Sequence, residues 1–256
     1  YNKYAELIYD LRDSGYSIYI MEHRRHGHSG RILDSTAKEK RKIYVKHFND
    51  YVKDVKIFYD TVVNATPHAK HLFFAHSVGG NVATQYIEQY PHDFDGAVLS
   101  SPMMQVLTTH PFPVSETFGY SVAKASVLAG QGKAYSLDMQ EPKVLIDSTS
   151  PDKFEHELLT KSWKRWQIYN EIIEQQPELI AGGPGATWGI TNQFGKEAYE
   201  ATFLARSADQ AAKIVIPVLM FRSGDDRIVG AKGFDTLKKN AVNAPSFDVV
   251  EFPDAY

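Results

Sequence analysis

The sequence predicts an α/β protein, in which a mostly parallel sheet is flanked by helices and a helical segment is inserted into the core. Residues 72–74, 97–99 and 214–221 are continuously apolar, which is typical of strands buried on both faces. Residues 78–90, between the first two of these strands, have the apolar spacing of a helix. Strand–helix–strand alternation with short links indicates parallel strands joined by right-handed crossovers.

Outside the insertion, the rest of the chain alternates between helix and strand in the same way. Tyr4, Leu7, Ile8 and Leu11 share one helical face, and Gly15 is a typical helix end. The remaining predicted elements are a strand over residues 17–21, helices over residues 47–63 and 196–212, and a last strand over residues 247–252.

The regular alternation stops between residues 103 and 194. Prolines interrupt this segment, strand-like runs are nearly absent, and Trp163 and Trp166 lie on a predicted helix. Because the segment is too aromatic for a linker, we interpret it as a helical cap inserted into the core. The expected organisation is a first part of the core over residues 1–102, the cap over residues 103–194, and a second part of the core over residues 195–256.

The composition excludes several classes of protein. Of the 256 residues, 43% are hydrophobic and 12% aromatic, as in a packed globular protein. A net charge of −3 does not indicate a nucleic-acid binder. The lack of cysteine excludes disulfides and thiolate chemistry and favours a reducing, cytoplasmic location. No run of about 18 apolar residues exists, so we expect no membrane-spanning helix, while peripheral contact with a membrane stays open.

The stretch Ala75-His76-Ser77-Val78-Gly79 lies where the first buried strand passes into the following helix. A nucleophilic serine on such a sharp turn needs small residues two positions before and after it, so that strand and helix can approach each other. Ala75 and Gly79 meet this requirement. Ser77 is therefore the candidate nucleophile, and the N–H of Val78 is the candidate oxyanion donor. The alternative interpretation is a serine that caps the helix N-terminus.

A catalytic acid is expected after a later strand, and Gly224-Asp225-Asp226-Arg227 follows the predicted strand at residues 214–221. One of the two aspartates would hold a histidine base in the right tautomer and stabilise its imidazolium form. The alternative is an ordinary turn rich in aspartate. The base itself should follow the last strand, but all ten histidines precede residue 157.

A competing arrangement is H-x-x-H-x-H, formed by His23, His26 and His28, whose three imidazoles could together ligate zinc or another transition metal. Neighbouring arginines oppose the binding of a cation there, and Glu22 is the only nearby carboxylate that could complete such a site. We therefore expect neither a metal nor another cofactor.

Several segments resemble the monoglyceride-lipase-like serine hydrolases of the α/β-hydrolase superfamily, and among these the bacterial lysophospholipases most closely. The segments are EHRRHGHSGR at residues 22–31, FNDYVKD at residues 48–54, AHSVGG at residues 75–80, and AGGP at residues 181–184 together with Trp188. Glu22 and Arg25 depart from the Asp and Gly of the family pattern, which bears on the shape of the loop more than on the chemistry.

The resemblance implies a role for each matching residue. Ser77 would be the nucleophile, and Asp226 would be the acid rather than Asp225, because it precedes Arg-x-Val as the acid of the family does. The histidine of the family follows a Gly-Ala-Tyr motif, here Asp-Ala-Tyr, so we expect it directly after Tyr256. The segment that donates the second oxyanion N–H would precede Tyr1. The chain is therefore expected to be trimmed at both ends.

The function implied by the resemblance is hydrolysis of an ester in an amphiphilic lipid, either a lysophospholipid or a monoacylglycerol, without a cofactor. The aromatic cap would provide an apolar channel for the acyl chain, with Trp188, Trp163 and Trp166 as candidate substrate-binding residues. Two alternatives stay open: a hydrolase of small esters or thioesters with the same fold, and a non-catalytic binding protein that has kept the fold.

Overall fold

The computed structural model describes residues 2–24, 26–30, 32–33, 36, 42–107, 113–136, 160–175 and 189–255. The strands are β1 (Lys42–Ile43), β2 (Leu72–His76), β3 (Gly96–Ser100), β4 (Gly189–Ile190), β5 (Val218–Ser223) and β6 (Phe247–Phe252). The helices are α1 (Ala5–Leu11), α2 (Asn49–Phe58), α3 (Val78–Gln89), α4 (Glu116–Ser126), α5 (Trp163–Glu174), α6 (Asn192–Ala205), α7 (Ala208–Ala211) and α8 (Ala231–Asn240). A short 3₁₀ turn (Asn2–Tyr4) precedes α1, and π-helical turns extend α2 (Tyr59–Val63) and α4 (Val127–Gln131).

The main sheet is parallel and consists of β2, β3, β5 and β6 in that order, while β1 and β4 form a separate parallel pair. One row of paired residues crosses the main sheet through Ala75, Leu99, Met220 and Val249. This arrangement confirms the predicted α/β architecture. Because all four strands point the same way, their carboxyl ends meet along one edge, where the turns that follow them can build a site.

The hydrophobic core lies on one face of this sheet. Ala75, Leu99 and Met220 are buried there and pack with apolar residues of α2, α3, α6 and α8. The opposite face is more accessible, and four of its apolar side chains are between 41% and 52% exposed: Leu72, Phe74, Val250 and Phe252. The prediction that residues 72–74 are buried on both faces is therefore wrong. Alternate residues of a strand point to opposite faces, and the described core covers one of them.

Residues 17–21, predicted as a strand, form no regular structure, so this prediction is wrong. Ile18, Tyr19 and Ile20 are 40%, 37% and 42% exposed. Among the described strands, none pairs with this segment. The preference of apolar residues for strands comes largely from packing on neighbouring strands, so it does not produce a strand where no partner is present.

The predicted helices are confirmed with shifted ends. Residues 4–11, 47–63 and 78–90 correspond to α1, to α2 with its π-helical turn, and to α3, while residues 196–212 correspond to α6 and α7. The strand predicted over residues 214–221 begins later, at Val218, directly after Pro217, which has no N–H for a ladder hydrogen bond. Within the part of the chain that the structure describes, there is no helix suited to crossing a bilayer.

In the predicted cap, the described residues form α4, α5 and β4. Arg206, directly after α6, ties α4 to the core, because its Nη2 lies 2.6 Å from Oε2 of Glu116 and its guanidinium also donates to the carbonyl of Met104. Helix α6 begins at Asn192, slightly before the expected boundary at residue 194. The division of the chain into core and cap stays a prediction.

Candidate active site

Ser77 lies at the junction between β2 and α3 in a strained backbone conformation, with φ 53° and ψ −122°. A positive φ is unfavourable for a residue with a Cβ, so the surrounding structure must hold it in place. Four backbone hydrogen bonds do so, one of them from the N–H of Asn81 to the carbonyl of Ser77 (3.3 Å). The N–H of Ser77 donates to the carbonyl of Ser100 (3.0 Å), and the carbonyl of Ser77 accepts from the N–H groups of Met103 (2.8 Å) and Gly80 (2.9 Å). The predicted sharp turn between strand and helix is therefore present.

Small residues around Ser77 allow strand and helix to approach closely. A Cβ on Gly80 would lie 2.5 Å from Cβ of Pro102, which is closer than real Cβ atoms come. A Cβ on Gly79 would lie 3.3 Å from Nε2 of His23, a tighter contact than usual. The requirement for a small residue was expected at Gly79, but the structure makes Gly80 the more restricted of the two positions.

The side chain of Ser77 is not a helix cap. Ser77 occupies the N-cap position of α3, but its side chain makes no capping hydrogen bond, and its φ of 53° lies outside the usual range for a cap. The capping hypothesis is therefore wrong. Helix α3 begins at Val78, so the first N–H groups of the helix lie next to Ser77, as an oxyanion donor requires. The role of Val78 stays a prediction.

The two aspartates after β5 have different surroundings. Oδ1 of Asp226 accepts hydrogen bonds from the N–H groups of Ile228 (2.9 Å) and Val229 (2.8 Å). Asp225 is more exposed, and its Oδ2 lies 3.3 Å from Nη2 of Arg227 and 3.7 Å from Nζ of Lys161. The backbone thus fixes one oxygen of Asp226, while exposed cations surround Asp225. An ordinary Asx turn makes the same bonds as Asp226, so its role as the acid stays a prediction.

The turns carrying Ser77 and Asp226 belong to the same edge of the sheet, with β3 between their strands. Sequence analysis missed two further serines at this edge. Ser101 has a φ of 37°, and its Oγ lies 3.1 Å from Oγ of Ser223. A cavity of about 280 Å³ opens beside them, lined by Ser100, Ser101, Ser223, Phe74, Phe221 and Phe252 among others. Their position directly after predicted strands was the signal in the sequence that could have identified them.

Two partly buried histidines, His23 and His76, flank the turn at Ser77, and the sequence had given neither a role beside it. Burial lowers the pKa of His76 to about 4, an effect that Lys3 strengthens, and Nδ1 of His76 lies 3.1 Å from the hydroxyl of Tyr4. Burial also lowers the pKa of His23 to about 4, with a further contribution from His26. Both imidazoles are therefore neutral at neutral pH.

The proposed metal ligands do not assemble into a site. His23 is partly buried and His28 is exposed. The ring centroids of His23 and His26 lie 6.2 Å apart in an edge-to-face arrangement. Over the described parts of the chain, no group of three or more metal-ligating side chains is present. Glu22, the candidate fourth ligand, instead accepts a hydrogen bond from the N–H of His28 (2.8 Å).

Arg24 connects two of the segments that carry the family resemblance. Its Nε and Nη2 donate to the two carboxylate oxygens of Asp54 at 2.6 and 2.7 Å. Its Nη1 lies 3.3 Å from Oδ2 of Asp50. Arg24 is thereby held against α2, and its neighbour His23 lies beside the serine turn, with Nε2 3.3 Å from where a Cβ on Gly79 would be. The sequence alone did not indicate this pairing.

The candidate substrate-binding tryptophans are partly described. Trp163 and Trp166 stack on α5, with ring centroids 5.2 Å apart and an interplanar angle of 26°. Trp166 is only 5% exposed, so its side chain supports the packing of the cap. Trp188 lies outside the described residues. The role of these three tryptophans in substrate binding stays a prediction.

Comparison with known sequences places these features in context. The profile of the family described as "Serine aminopeptidase, S33" matches residues 1–256. Lysophospholipase L2 of Escherichia coli (strain K12) is 28% identical over 236 residues, covering 92% of this chain and 63% of its own. Mouse monoglyceride lipase is 22% identical over 242 residues, which cover 93% of this chain and 65% of the mouse protein. The chain thus spans just under two thirds of the length of these relatives.

Solved structures agree on the fold. The monoacylglycerol lipase of Paleococcus ferrophilus superposes with a TM-score of 0.64 at 20% identity, covering 99% of this chain and 80% of that one. A thermostable carboxyl esterase of Bacillus coagulans superposes with a TM-score of 0.66 at 15% identity, and the match covers 100% of this chain and 78% of the esterase. Together with the parallel sheet and its flanking helices, these likenesses confirm the predicted α/β-hydrolase fold.

Proposed function

Because this chain belongs to the serine aminopeptidase S33 family of α/β-hydrolases, we propose that it is a serine hydrolase that cleaves carboxylic esters of amphiphilic lipids. The observation that carries the proposal is the backbone of Ser77, held at a φ of 53° between a buried strand and the start of a helix. Such strain persists only where the surrounding structure maintains it, and it is concentrated at functional sites. The names of the relatives, lysophospholipase and monoglyceride lipase, support the choice of ester substrates.

In the proposed reaction, Oγ of Ser77 attacks the acyl carbonyl while its proton passes to a histidine base, which the family resemblance places after Tyr256. The carbonyl π electrons move to oxygen, and the N–H of Val78 stabilises the resulting oxyanion. Collapse of this tetrahedral intermediate expels the alcohol, which takes the proton from the base, and leaves an acyl-enzyme. Water then cleaves the acyl-enzyme by the same steps. Asp226 stabilises the imidazolium form of the base.

The substrate proposed is a single-chain lipid, either a lysophospholipid or a monoacylglycerol. The relatives named above support a lipid substrate, and the partly buried Trp163, stacked on Trp166, provides aromatic surface in the predicted cap. Apolar and aromatic side chains commonly line the pockets that bind such ligands, with few polar groups among them. Peripheral contact with a membrane would bring the enzyme to these substrates and is part of the same proposal.

The nucleophile is tested by treating the full-length protein with a fluorophosphonate probe and identifying the labelled peptide by mass spectrometry. We expect labelling at Ser77, and Ser77→Ala should abolish labelling and turnover, since loss of a triad nucleophile typically lowers kcat by about 10⁶. Ser101→Ala is the matched control, because Ser101 is the other non-glycine residue with positive φ among the described residues. This variant should still be labelled at Ser77. Labelling at a different serine would refute the assignment.

A substrate panel distinguishes the remaining alternatives. It contains lysophospholipids, long-chain monoacylglycerols, a short acetate ester and a thioester, all measured with the same enzyme preparation. We expect the highest kcat/KM for the single-chain lipids. A preference for the acetate ester or the thioester would instead identify a small-ester or thioester hydrolase. A protein that neither reacts with the probe nor turns over any substrate would be a non-catalytic member of the fold.

A further inference from the structure

The turn that follows β5 packs directly against the turn that follows β6. A Cβ on Gly224 would lie 2.5 Å from the carbonyl oxygen of Pro253, so the two backbones touch. The N–H of Gly224 donates to the carbonyl of Phe252 (2.9 Å), and the N–H of Asp225 donates to the carbonyl of Ala255 (3.0 Å). We name these the acid turn (residues 224–227) and the terminal turn (residues 253–255). They form one backbone-bonded unit.

Lys161, from the predicted cap, contacts both of these turns. Its Nζ donates a hydrogen bond to the carbonyl of Asp254 in the terminal turn (2.7 Å). The same Nζ lies 3.7 Å from Oδ2 of Asp225 in the acid turn. One ammonium group therefore bridges the two turns from the side of the cap, two residues before α5 begins.

We propose that Lys161 is a positioning residue, which ties the cap to the acid turn and thereby holds the carboxylate of Asp226 in its reactive orientation. The inference rests on the proposed function, in which Asp226 is the acid. Because Oδ1 of Asp226 is bonded to N–H groups of its own turn, those of Ile228 and Val229, the carboxylate moves with the backbone of that turn. Any displacement of the acid turn is therefore passed to the catalytic carboxylate.

The competing explanation is a surface ion pair without consequence. The side chains of Lys161 and Asp225 are 46% and 47% exposed, and ion pairs with that exposure contribute little to stability. Two features argue for a positioning role. The same ammonium also binds a backbone carbonyl of a second turn, and Asp225 is the direct neighbour of Asp226. The effect of Lys161 should therefore appear in catalysis and not in the stability of the fold.

Arg165 provides a matched control on the same part of the cap. Its Nε and Nη2 donate to the carboxylate of Glu6 at 2.8 and 2.9 Å, so it also joins the cap to the core through an exposed pair. Glu6 belongs to α1, which does not carry Asp226. Removal of the Arg165 side chain thus shows the effect of loosening the cap in general. Removal of the Lys161 side chain shows the effect of losing the contact that holds the acid turn.

The experiment compares Lys161→Gln, Lys161→Arg and Arg165→Gln in the full-length protein, measuring kcat and KM on the short acetate ester together with Tm. We expect Lys161→Gln to lower kcat about tenfold, equivalent to about 1.4 kcal/mol of transition-state stabilisation, with KM and Tm nearly unchanged. Arg165→Gln should change kcat less than about twofold. Lys161→Arg keeps the charge and the donors and should restore most of the kcat. Asp225→Asn combined with Lys161→Gln should be no slower than Lys161→Gln alone, because both remove the same contact.

Several outcomes would overturn the inference. Wild-type kcat in Lys161→Gln would show that the contact has no positioning role. Equal losses in the Lys161 and Arg165 variants, or a loss accompanied by a fall in Tm, would show general loosening of the cap or of the fold. If the wild-type protein is active and any of these results is obtained, only this inference is overturned and the proposed function stands. A wild-type protein that hydrolyses no ester and does not react with the fluorophosphonate probe overturns the proposed function as well.

Discussion

Asp226 and Asp225 are adjacent residues of the same type, yet their surroundings make Asp226 better suited to act as a catalytic acid. Two backbone N–H groups hold Oδ1 of Asp226, and both hydrogen bonds found for this carboxylate go to that one oxygen. Asp225 interacts with the exposed cations Arg227 and Lys161. A carboxylate with one oxygen anchored can present the other to an imidazole at a constant angle, which is the geometry that a triad acid needs.

We therefore predict that Asp226→Asn lowers kcat by about 10⁴, because the amide would favour the wrong histidine tautomer. Asp225→Asn should lower kcat by no more than about tenfold, since it affects only the contacts of Asp225 with the exposed cations Lys161 and Arg227. Both variants should keep the circular dichroism spectrum and Tm of the wild-type protein. If Asp225→Asn had the larger effect, Asp225 would be the acid and the alignment of this turn would be wrong by one residue.

Helix α3 is buried over most of its length, and its single carboxyl group, that of Glu88, is buried with it. The side chain of Glu88 is 3% exposed, and burial raises its pKa from 4.5 to about 9 against the opposing effect of the Lys213 charge. Its Oε1 has no hydrogen-bond partner among the residues that the structure describes. The folded protein therefore holds a proton on Glu88 over a pH range in which the unfolded chain has lost it.

This carboxyl group should make the stability of the fold depend on pH. Between pH 4.5 and about 9 the folded state binds more protons at Glu88 than the unfolded state does, so the free energy of unfolding falls as pH rises, by up to about 1.4 kcal/mol per pH unit. Glu88→Gln lacks this contribution and should gain stability relative to the wild type as pH increases.

Urea unfolding at pH 5, 7 and 8.5 measures the difference in the free energy of unfolding between Glu88→Gln and the wild type. Glu171→Gln, at an exposed position on α5, is the control and should show no such trend. A difference between Glu88→Gln and wild type that stays constant with pH would contradict the prediction.

At the scale of the whole molecule, the parallel sheet brings together parts of the chain that are far apart in sequence. The turns after β2 and β5 reach the same edge, and α5 of the predicted cap is tied to α1 by Arg165 and to the acid turn by Lys161. Catalysis and substrate choice can therefore reside in separate parts of the chain. The core would carry the chemistry, and the cap would contact the acyl chain.

The cap tryptophans should accordingly affect chain-length preference more than chemistry. We predict that Trp163→Ala lowers kcat/KM for a long-chain lipid much more than for an acetate ester, because apolar contact contributes about 0.8 kcal/mol per buried CH₂ and an acetyl group has no tail to bury. Trp166→Ala and Trp188→Ala should act in the same direction, but the burial of Trp166 adds a loss of stability that must be measured alongside. Ile168→Ala, exposed on the same helix, is the control. Equal losses on long and short substrates would show that these tryptophans only support the fold.

The sequence alone determined the features that rest on local patterns. Helix periodicity located α1, α2 and α3, and continuous apolar runs located β2, β3 and β5, because side-chain spacing reflects which face of an element is buried. The small residues around Ser77 predicted its turn, since close approach of strand and helix leaves no room for a Cβ at Gly80. Parallel order followed from strand–helix–strand alternation, which leaves few other topologies.

Only the tertiary structure decided the features that depend on distant partners. Residues 17–21 have the composition of a strand, but a strand requires a neighbour, and none of the described strands provides one. His23, His26 and His28 are close in sequence, yet among the described residues the fold does not bring their side chains together as a metal site, and the ring centroids of His23 and His26 lie 6.2 Å apart. The different surroundings of Asp225 and Asp226, and the bridge formed by Lys161, arise from contacts between segments far apart in the chain. Hydrogen bonds, burial and charge are set by which atoms meet after folding, and the order of residues along the chain does not specify those distances.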